Sequence, residues 1–227
     1  QAKIPLYPGS FAVTTCQHRE REKLFLSKNG FACTKFRIAD DFSTFQNGVN
    51  ELKSEVIVKT AEFGYDGKGQ LKLPKAPDDE QLRNAWKTFH TGRVVIEECI
   101  SLETEFSVLV ARGKSGEVMS YDPVENIHRN HILDLSIIPA RISESILSEA
   151  KQIALSIAEV FDYVGILAVE FFLSTDGRLL VNELAPRPHN SGHHTINACC
   201  CSQFENQARA ITGMPLGSTK LLSPVLM

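Results

Sequence analysis

Residues 165–184 read GILAVEFFLSTDGRLLVNEL. Two runs dense in aliphatic and aromatic residues, Gly165–Leu173 and Arg178–Leu184, flank Asp176-Gly177, a dipeptide favoured in two-residue hairpin turns. With Asp176 and Gly177 as the turn, Thr175 pairs with Arg178, and counting outward sets Glu170 opposite Glu183. Residues opposed in this way have Cβ atoms ~4.5–5.5 Å apart, and like charges there are destabilising. Both glutamates lie within apolar strands, where an uncompensated carboxylate is costly. A hard divalent cation removes that cost, and one or two carboxylates with substrate phosphates describe a magnesium site. Two blander arrangements fit the same letters: solvated glutamates on edge strands, or a bulged turn that shifts the register by one.

Working outward, strands and helices are mixed without strict alternation. Residues 19–29 predict a charged helix closed by Gly30. Strands are expected over 31–39, 56–59 and 94–96, and helices over 42–52, 80–89 and 202–212, with a linker-like stretch at 74–79. Phe106, Val108 and Val110 alternate with Ser107, Leu109 and Ala111, which suits a strand. Residues 143–161 form the clearest helix: Ile146, Ala150, Ile153, Ala154, Ile157 and Phe161 recur on one face, behind Ser143 as N-cap. Several neighbouring strands read as hairpins. The expected fold class is therefore α+β (mixed α/β) rather than a doubly wound sheet.

Composition excludes several functions. The 227 residues carry 24 Lys+Arg against 27 Asp+Glu, a formal net charge of −3, with 43% hydrophobic and 22% charged residues. These are ordinary globular values; an electrostatic nucleic-acid binder is usually strongly basic, and a disordered chain poorer in apolar residues. No apolar run approaches the ~20 residues that cross a bilayer. The length suits one or two domains, at roughly 100–200 residues each. The start, Gln1-Ala2-Lys3-Ile4-Pro5, has the pattern of neither a signal nor a transit peptide and reads as the interior of a longer chain. Cys16, Cys33, Cys99, Cys199, Cys200 and Cys201 contain no C-x-x-C pair. They are expected to be buried free thiols in a reducing compartment rather than zinc ligands.

Two further stretches carry chemistry. Gly64-Tyr65-Asp66-Gly67-Lys68-Gly69-Gln70 has three glycines in seven residues, which lets backbone N–H groups approach anionic oxygens. It is neither a Walker A loop nor a dinucleotide fingerprint, and a flexible hairpin tip fits it too. Lys59, just before it, suits phosphate as a point charge. The second stretch is Asn182-Glu183-Leu184-Ala185-Pro186-Arg187-Pro188-His189-Asn190-Ser191-Gly192-His193-His194. Two prolines stiffen it around Arg187, whose planar fork suits phosphate, and His189, Asn190 and Ser191 can orient a polar substrate. His193 and His194 are adjacent and receive no role.

Together with Arg19…Glu22-Lys23, Glu97…Glu105, Asn126-Ile127-His128, Ser202-Gln203-Phe204-Glu205 and Pro215-Leu216-Gly217, these motifs resemble the ATP-grasp superfamily. Within it they resemble the purK-type carboxylases of purine biosynthesis. The likeness runs from about residue 10 to the C-terminus, and Ala185, where many ATP-grasp ligases carry Asn, agrees with that family.

The resemblance implies an ATP-grasp fold of two α+β subdomains clasping the nucleotide: a linker and helix over 1–29, a small subdomain over 30–100 and a large one over 101–227. The family's N-terminal Rossmann-like domain and small C-terminal domain are largely outside this sequence. The implied enzyme is a carbon–nitrogen ligase. ATP phosphorylates bicarbonate to carboxyphosphate, which carboxylates 5-aminoimidazole ribonucleotide to 5-(carboxyamino)imidazole ribonucleotide, with ADP and phosphate as products. The implied cofactors are ATP and Mg2+, or Mn2+ in its place. Arg19 and Lys59 would contact the phosphates under a lid formed by Gly64–Gln70. Glu97, Glu98, Cys99 and Ile100 would line the adenine slot, Glu105 would accept from the ribose, and His128 would lie near the nucleotide. Glu170 and Glu183 would hold the metal, with Asn182 beside them. Tyr65, Asp66, Arg187, His189 and Asn190 would bind the ribonucleotide, with Asp66, Arg187 and His189 closest to the chemistry. Nucleic acid and membrane are not implied as partners. A homodimer, a cytoplasmic (in plants, plastid) location and, in some eukaryotes, fusion to a mutase domain are. A different amine acceptor, or a silent nucleotide-binding module, would use the same ATP residues.

Overall fold

The computed structural model describes residues 5–62, 69–89, 92–130 and 132–227. In chain order the elements are α1 (Ser10–Cys16), α2 (Arg19–Lys28), β1 (Phe36–Ala39), α3 (Phe42–Leu52), β2 (Val56–Thr60), β3 (Gln70–Leu73), α4 (Asp79–Thr88), β4 (Val94–Glu98) and β5 (Leu102–Arg112). There follow β6 (Val118–Ser120), β7 (Val124–Arg129), β8 (Ile132–Ile138), α5 (Glu144–Val160), β9 (Gly165–Ser174), β10 (Leu179–Ala185), a 3-10 turn (Asn190–Gly192), α6 (Thr195–Ala198), α7 (Gln203–Thr212) and β11 (Val225–Leu226). The chain divides into two units. One takes residues 17–101 with 130–132; the other takes the described residues of 1–16, 102–129 and 133–227, so the stretch 1–29 is shared between them.

The smaller unit is an antiparallel sheet in the order β1-β4-β2-β3. Asp41 with Thr44, and Asp78 with Gln81, form capping boxes that start α3 and α4. These helices bring Phe45, Val49, Leu82 and Ala85 onto Val56, Val58, Val94 and Ile96. The strand expected over 31–39 is ordered as β only from Phe36; Thr34 and Lys35 instead hydrogen-bond to Glu97 and Glu98.

The larger unit is antiparallel in the order β10-β9-β5-β7-β8-β11, with β6 on β5. Helix α5 packs on β5 and β9, and α7 packs on the same two strands. Phe106 to Ala111 are consequently all buried, and the expected alternation does not become a wet and a dry face. In α5 the buried stripe is Leu147, Ala150, Ala154, Ile157 and Ala158, with Ile146 and Ile153 on its half-buried flanks. Ser143 occupies the N-cap position, but its hydroxyl bonds to Ser145 rather than to the backbone. The thiols are free; Cys200 is exposed and Cys16, Cys33 and Cys99 are half-buried, so the expectation of uniform burial fails. No helix among the described residues is long and apolar enough to cross a membrane.

Candidate functional site

The β9–β10 hairpin does not have the two-residue turn expected. Ser174 and Arg178 close it: the Ser174 N–H donates to the Arg178 carbonyl (3.0 Å), and Gly177 turns at φ +81°. Three residues therefore lie in the loop, a length that places a glycine in the left-handed region. Ser174 and Arg178 both bond the Asp176 carboxylate, which fixes the longer turn. From there Leu179, Leu180 and Val181 pair with Leu173, Phe172 and Phe171. The register then shifts between Val181 and Glu183, where Asn182 is the extra residue of a bulge. Beyond it Glu183 pairs with Glu170.

Strand alternation gathers the rest. Ser107 on β5 pairs with Glu170, and Glu105 pairs with Asn126 on β7, so Glu105, Ser107, Asn126, His128, Glu170 and Glu183 share one sheet face. Further along that face Leu109, Ala111, Ile166, Ala168 and Ala185 form core with Ala210 and Leu216. Polar chemistry is thus confined to one end. Glu105 Oε2 lies 3.0 Å from His128 Nδ1, and this carboxylate raises the imidazole pKa against the lowering effect of burial. Burial would raise the Glu170 carboxyl, but a hydrogen bond from His189, the charges of His189 and His128, and an Asn182 hydrogen bond outweigh it and lower the pKa.

Glu170, Glu183 and the Asn182 amide offer oxygen ligands, the donor set of a hard cation. Among the described residues no group of three or more His, Cys, Asp or Glu side chains is arranged to hold a metal alone. An opposed pair of carboxylates fits an ion whose remaining ligands are phosphate oxygens and water.

The loop after β10 is held from beneath. Gln203, fully buried, accepts from the His189 N–H (2.9 Å) and donates to the His189 carbonyl (2.7 Å). The His189 ring is fixed at both nitrogens, with Nε2 3.2 Å from Glu170 and Nδ1 3.0 Å from Ser191 Oγ. Ser191 bonds Ser107 (2.7 Å), which accepts from Asn126 (3.1 Å). Gly192 is compulsory, since a Cβ there would sit 2.3 Å from Leu109. Arg187 and Asn190 are exposed, and Arg187 donates to the Pro188 carbonyl (3.0 Å).

In the smaller unit, the Arg19 N–H donates to the Ala61 carbonyl just past β2 (2.9 Å), which seats the start of α2 beside Lys59. Lys59 Nζ lies 2.9 Å from Glu97 Oε1, and Lys23 Nζ lies 3.1 Å from Glu97 Oε2. Thr34 donates to the same Oε2 (2.6 Å). Burial would raise the Glu97 carboxyl; Lys23, Lys59, the Thr34 hydrogen bond and Arg19 together hold it far below the usual carboxylate range. Burial in turn lowers the Lys59 ammonium despite Glu97. The Glu97 side chain is 2% exposed, so it faces these lysines and is not itself a wall of an open slot. The N–H groups of Glu98 and Cys99 are already given to the Lys35 and Glu55 carbonyls (2.9 and 2.8 Å). Gly64, Tyr65, Asp66, Gly67 and Lys68 lie outside the described residues. Gly69, at φ +73°, accepts from the Thr60 N–H, and Gln70 pairs with Lys59.

A model of the ATP-grasp domain matches residues 24–204. The chain belongs to the ATP-grasp family. Its mixed α/β build with antiparallel sheets is that of solved ATP-grasp relatives. This ATP-grasp chain is 42% identical over 219 residues to the N5-carboxyaminoimidazole ribonucleotide synthase of Bacillus subtilis, covering 96% of this chain and 57% of that protein. It superposes on an ADP complex of purK, an N5-carboxyaminoimidazole ribonucleotide synthetase, with a TM-score of 0.90 at 40% identity, covering 96% of this chain and 57% of that one. The Aspergillus clavatus synthase, solved with ADP and 5-aminoimidazole ribonucleotide, superposes at 0.88 with 27% identity, covering 98% and 58%. The chain thus spans less than two thirds of the length of each of these relatives.

Lys23, Thr34, Ser107 and Gln203 were not singled out for a role from sequence. A buried lysine or glutamine looks like a surface residue until its partners, distant in sequence, are known.

Proposed function

We propose that this chain is the ATP-using part of a carbon–nitrogen ligase that carboxylates 5-aminoimidazole ribonucleotide with bicarbonate in purine biosynthesis. The observation that carries the reading is the opposed pair Glu170 and Glu183 leading directly into the pinned loop of Arg187, His189 and Asn190. The family membership and the names of its relatives support it.

Bicarbonate oxygen attacks the γ-phosphorus of ATP, the bond to ADP breaks, and carboxyphosphate forms. The exocyclic amine then bonds to the carboxyl carbon, the carbon–oxygen bond to phosphate breaks, and the amine proton leaves with the phosphate. No covalent enzyme nucleophile is needed. Lys59 and Arg19 supply positive charge to the phosphates. Glu105 accepts from the ribose with His128 beside it, and backbone groups of 97–100 receive the adenine. Glu170 and Glu183, with Asn182, would hold Mg2+ or Mn2+, which when bound offsets charge on the transferred phosphoryl group. Gly64–Gln70 excludes water from the labile carboxyphosphate. Tyr65, Asp66, Arg187, His189 and Asn190 hold the acceptor.

The test is phosphate release from Mg-ATP, with and without bicarbonate and 5-aminoimidazole ribonucleotide, using Glu183→Gln as control. Release that needs both co-substrates and vanishes in the variant is expected. Release with bicarbonate that is indifferent to the ribonucleotide would be hydrolysis of carboxyphosphate by water and would remove the ribonucleotide as acceptor.

A further inference from the structure

We infer that Lys23 and Glu97 are positioning residues that keep Lys59 charged yet free to leave: Glu97 holds the Lys59 ammonium, and Lys23 keeps Glu97 paired when Lys59 turns to a phosphate. The inference rests on Lys59 being a phosphate ligand of ATP.

The geometry is one carboxylate shared by two ammonium groups, each on its own oxygen. The two lysines are not equivalent. Lys23 is 0% exposed, and it also donates to Thr34 Oγ1 (3.3 Å), which itself donates to Glu97. Lys59, at 13% exposure, retains an opening to solvent. A lone buried Lys59–Glu97 pair would be a trap, because a departing lysine leaves an unpaired buried carboxylate. Lys23 removes that penalty. Glu97 removes the opposite one. Without it, Lys59 would sit near the cations Arg19 and Lys23 with no other anion against it among the described residues, and burial would favour the neutral amine. Among the described residues, Glu22 on α2, Cys33 before β1 and Glu98 on β4 are further titratable groups at the cluster.

The experiment is calorimetric affinity of the 227-residue chain for Mg-ATP between about pH 6.5 and about pH 9, with no acceptor present. Glu97→Gln should bind about tenfold more weakly than the unmodified chain at the alkaline end and approach it at the acid end, because Lys59 regains its proton. Lys23→Met should weaken binding by a similar factor at every pH, because Lys59 stays charged but held. Glu97→Gln should add nothing in a Lys59→Met background, a double-mutant cycle that keeps the local charge balanced. Thr34→Val, which preserves every charge, should show the Glu97→Gln trend weakly and serves if Glu97→Gln does not fold. A flat pH response of the Glu97 and Thr34 variants, or a further loss on Lys59→Met, would overturn the inference alone. Failure of the unmodified chain to bind Mg-ATP would overturn the proposed function with it.

Discussion

Glu170 and Glu183 face each other because two one-residue offsets cancel. The turn carries one residue more than the Asp-Gly pair suggests, and the bulge at Asn182 returns the register before the glutamates meet. The bulge also brings the Asn182 amide to Glu170, to whose carboxylate it donates a hydrogen bond.

That convergence predicts metal-linked stability. Saturating Mg-ATP, at about 100 times its dissociation constant, should raise unfolding stability by about 2.7 kcal/mol. ATP with a chelator should give far less, and Glu170→Gln or Glu183→Gln should abolish most of the gain. Denaturant midpoints with and without ligand check this; equal gains with and without Mg2+ would remove the glutamates from metal binding.

The amide of Gln203 is read in both directions by His189, so an isosteric acid cannot replace it. Gln203→Glu turns one donor into an acceptor facing the His189 carbonyl and should cost about 1–3 kcal/mol. The acceptor KM should rise while the KM for ATP stays near its original value. Steady-state kinetics in both substrates measures this, and parallel rises would show a general loss of structure.

Gly69 has no substitute. Ala at φ +73° adds about 1–2 kcal/mol of left-handed strain, and its Cβ would lie 2.7 Å from Thr60 Oγ1. Gly69→Ala should lower the denaturant midpoint by at least the strain alone, whereas an unchanged midpoint would mean that the hairpin base yields freely.

Glu97 sets an acid limit. Its folded carboxyl titrates far below its unfolded value near 4.5, so its contribution is complete above that value and fades as pH falls toward the folded one. The stability difference between the unmodified chain and Glu97→Gln should be constant between about pH 5.5 and about pH 6.5 and shrink below about pH 4.5. Urea midpoints across that range decide it, and a gap that widens in acid would reverse the sign.

Strand and helix patterning placed most elements, because apolar periodicity survives in single sequences. The opposition of Glu170 and Glu183 was legible for the wrong reason: a two-residue turn was read where a three-residue turn and a bulge stand. Asn182 carries no letter-level mark of a bulge. Thr34 and Lys35 read as strand, yet their bonds run to Glu97 and Glu98 more than sixty positions away, a distance no local pattern spans. The resemblance sets the backbone of 97–100 at the adenine, and no pattern in the letters shows that the Glu97 carboxylate turns inward to two lysines. Ser143 shows the reverse, a correct position without the expected bond.

The two carboxylates are spaced by backbone pairing, whereas the loop that follows is held by side chains, through the buried Gln203 amide and the bonds of His189 and Ser191. These supports are separable. Residues 186–188 and 190 can be exchanged for others, provided His189 still offers its peptide to Gln203 and its ring to Glu170, without moving either glutamate. A scaffold so divided leaves residues 186–188 and 190 free to vary while the opposed glutamates are inherited unchanged.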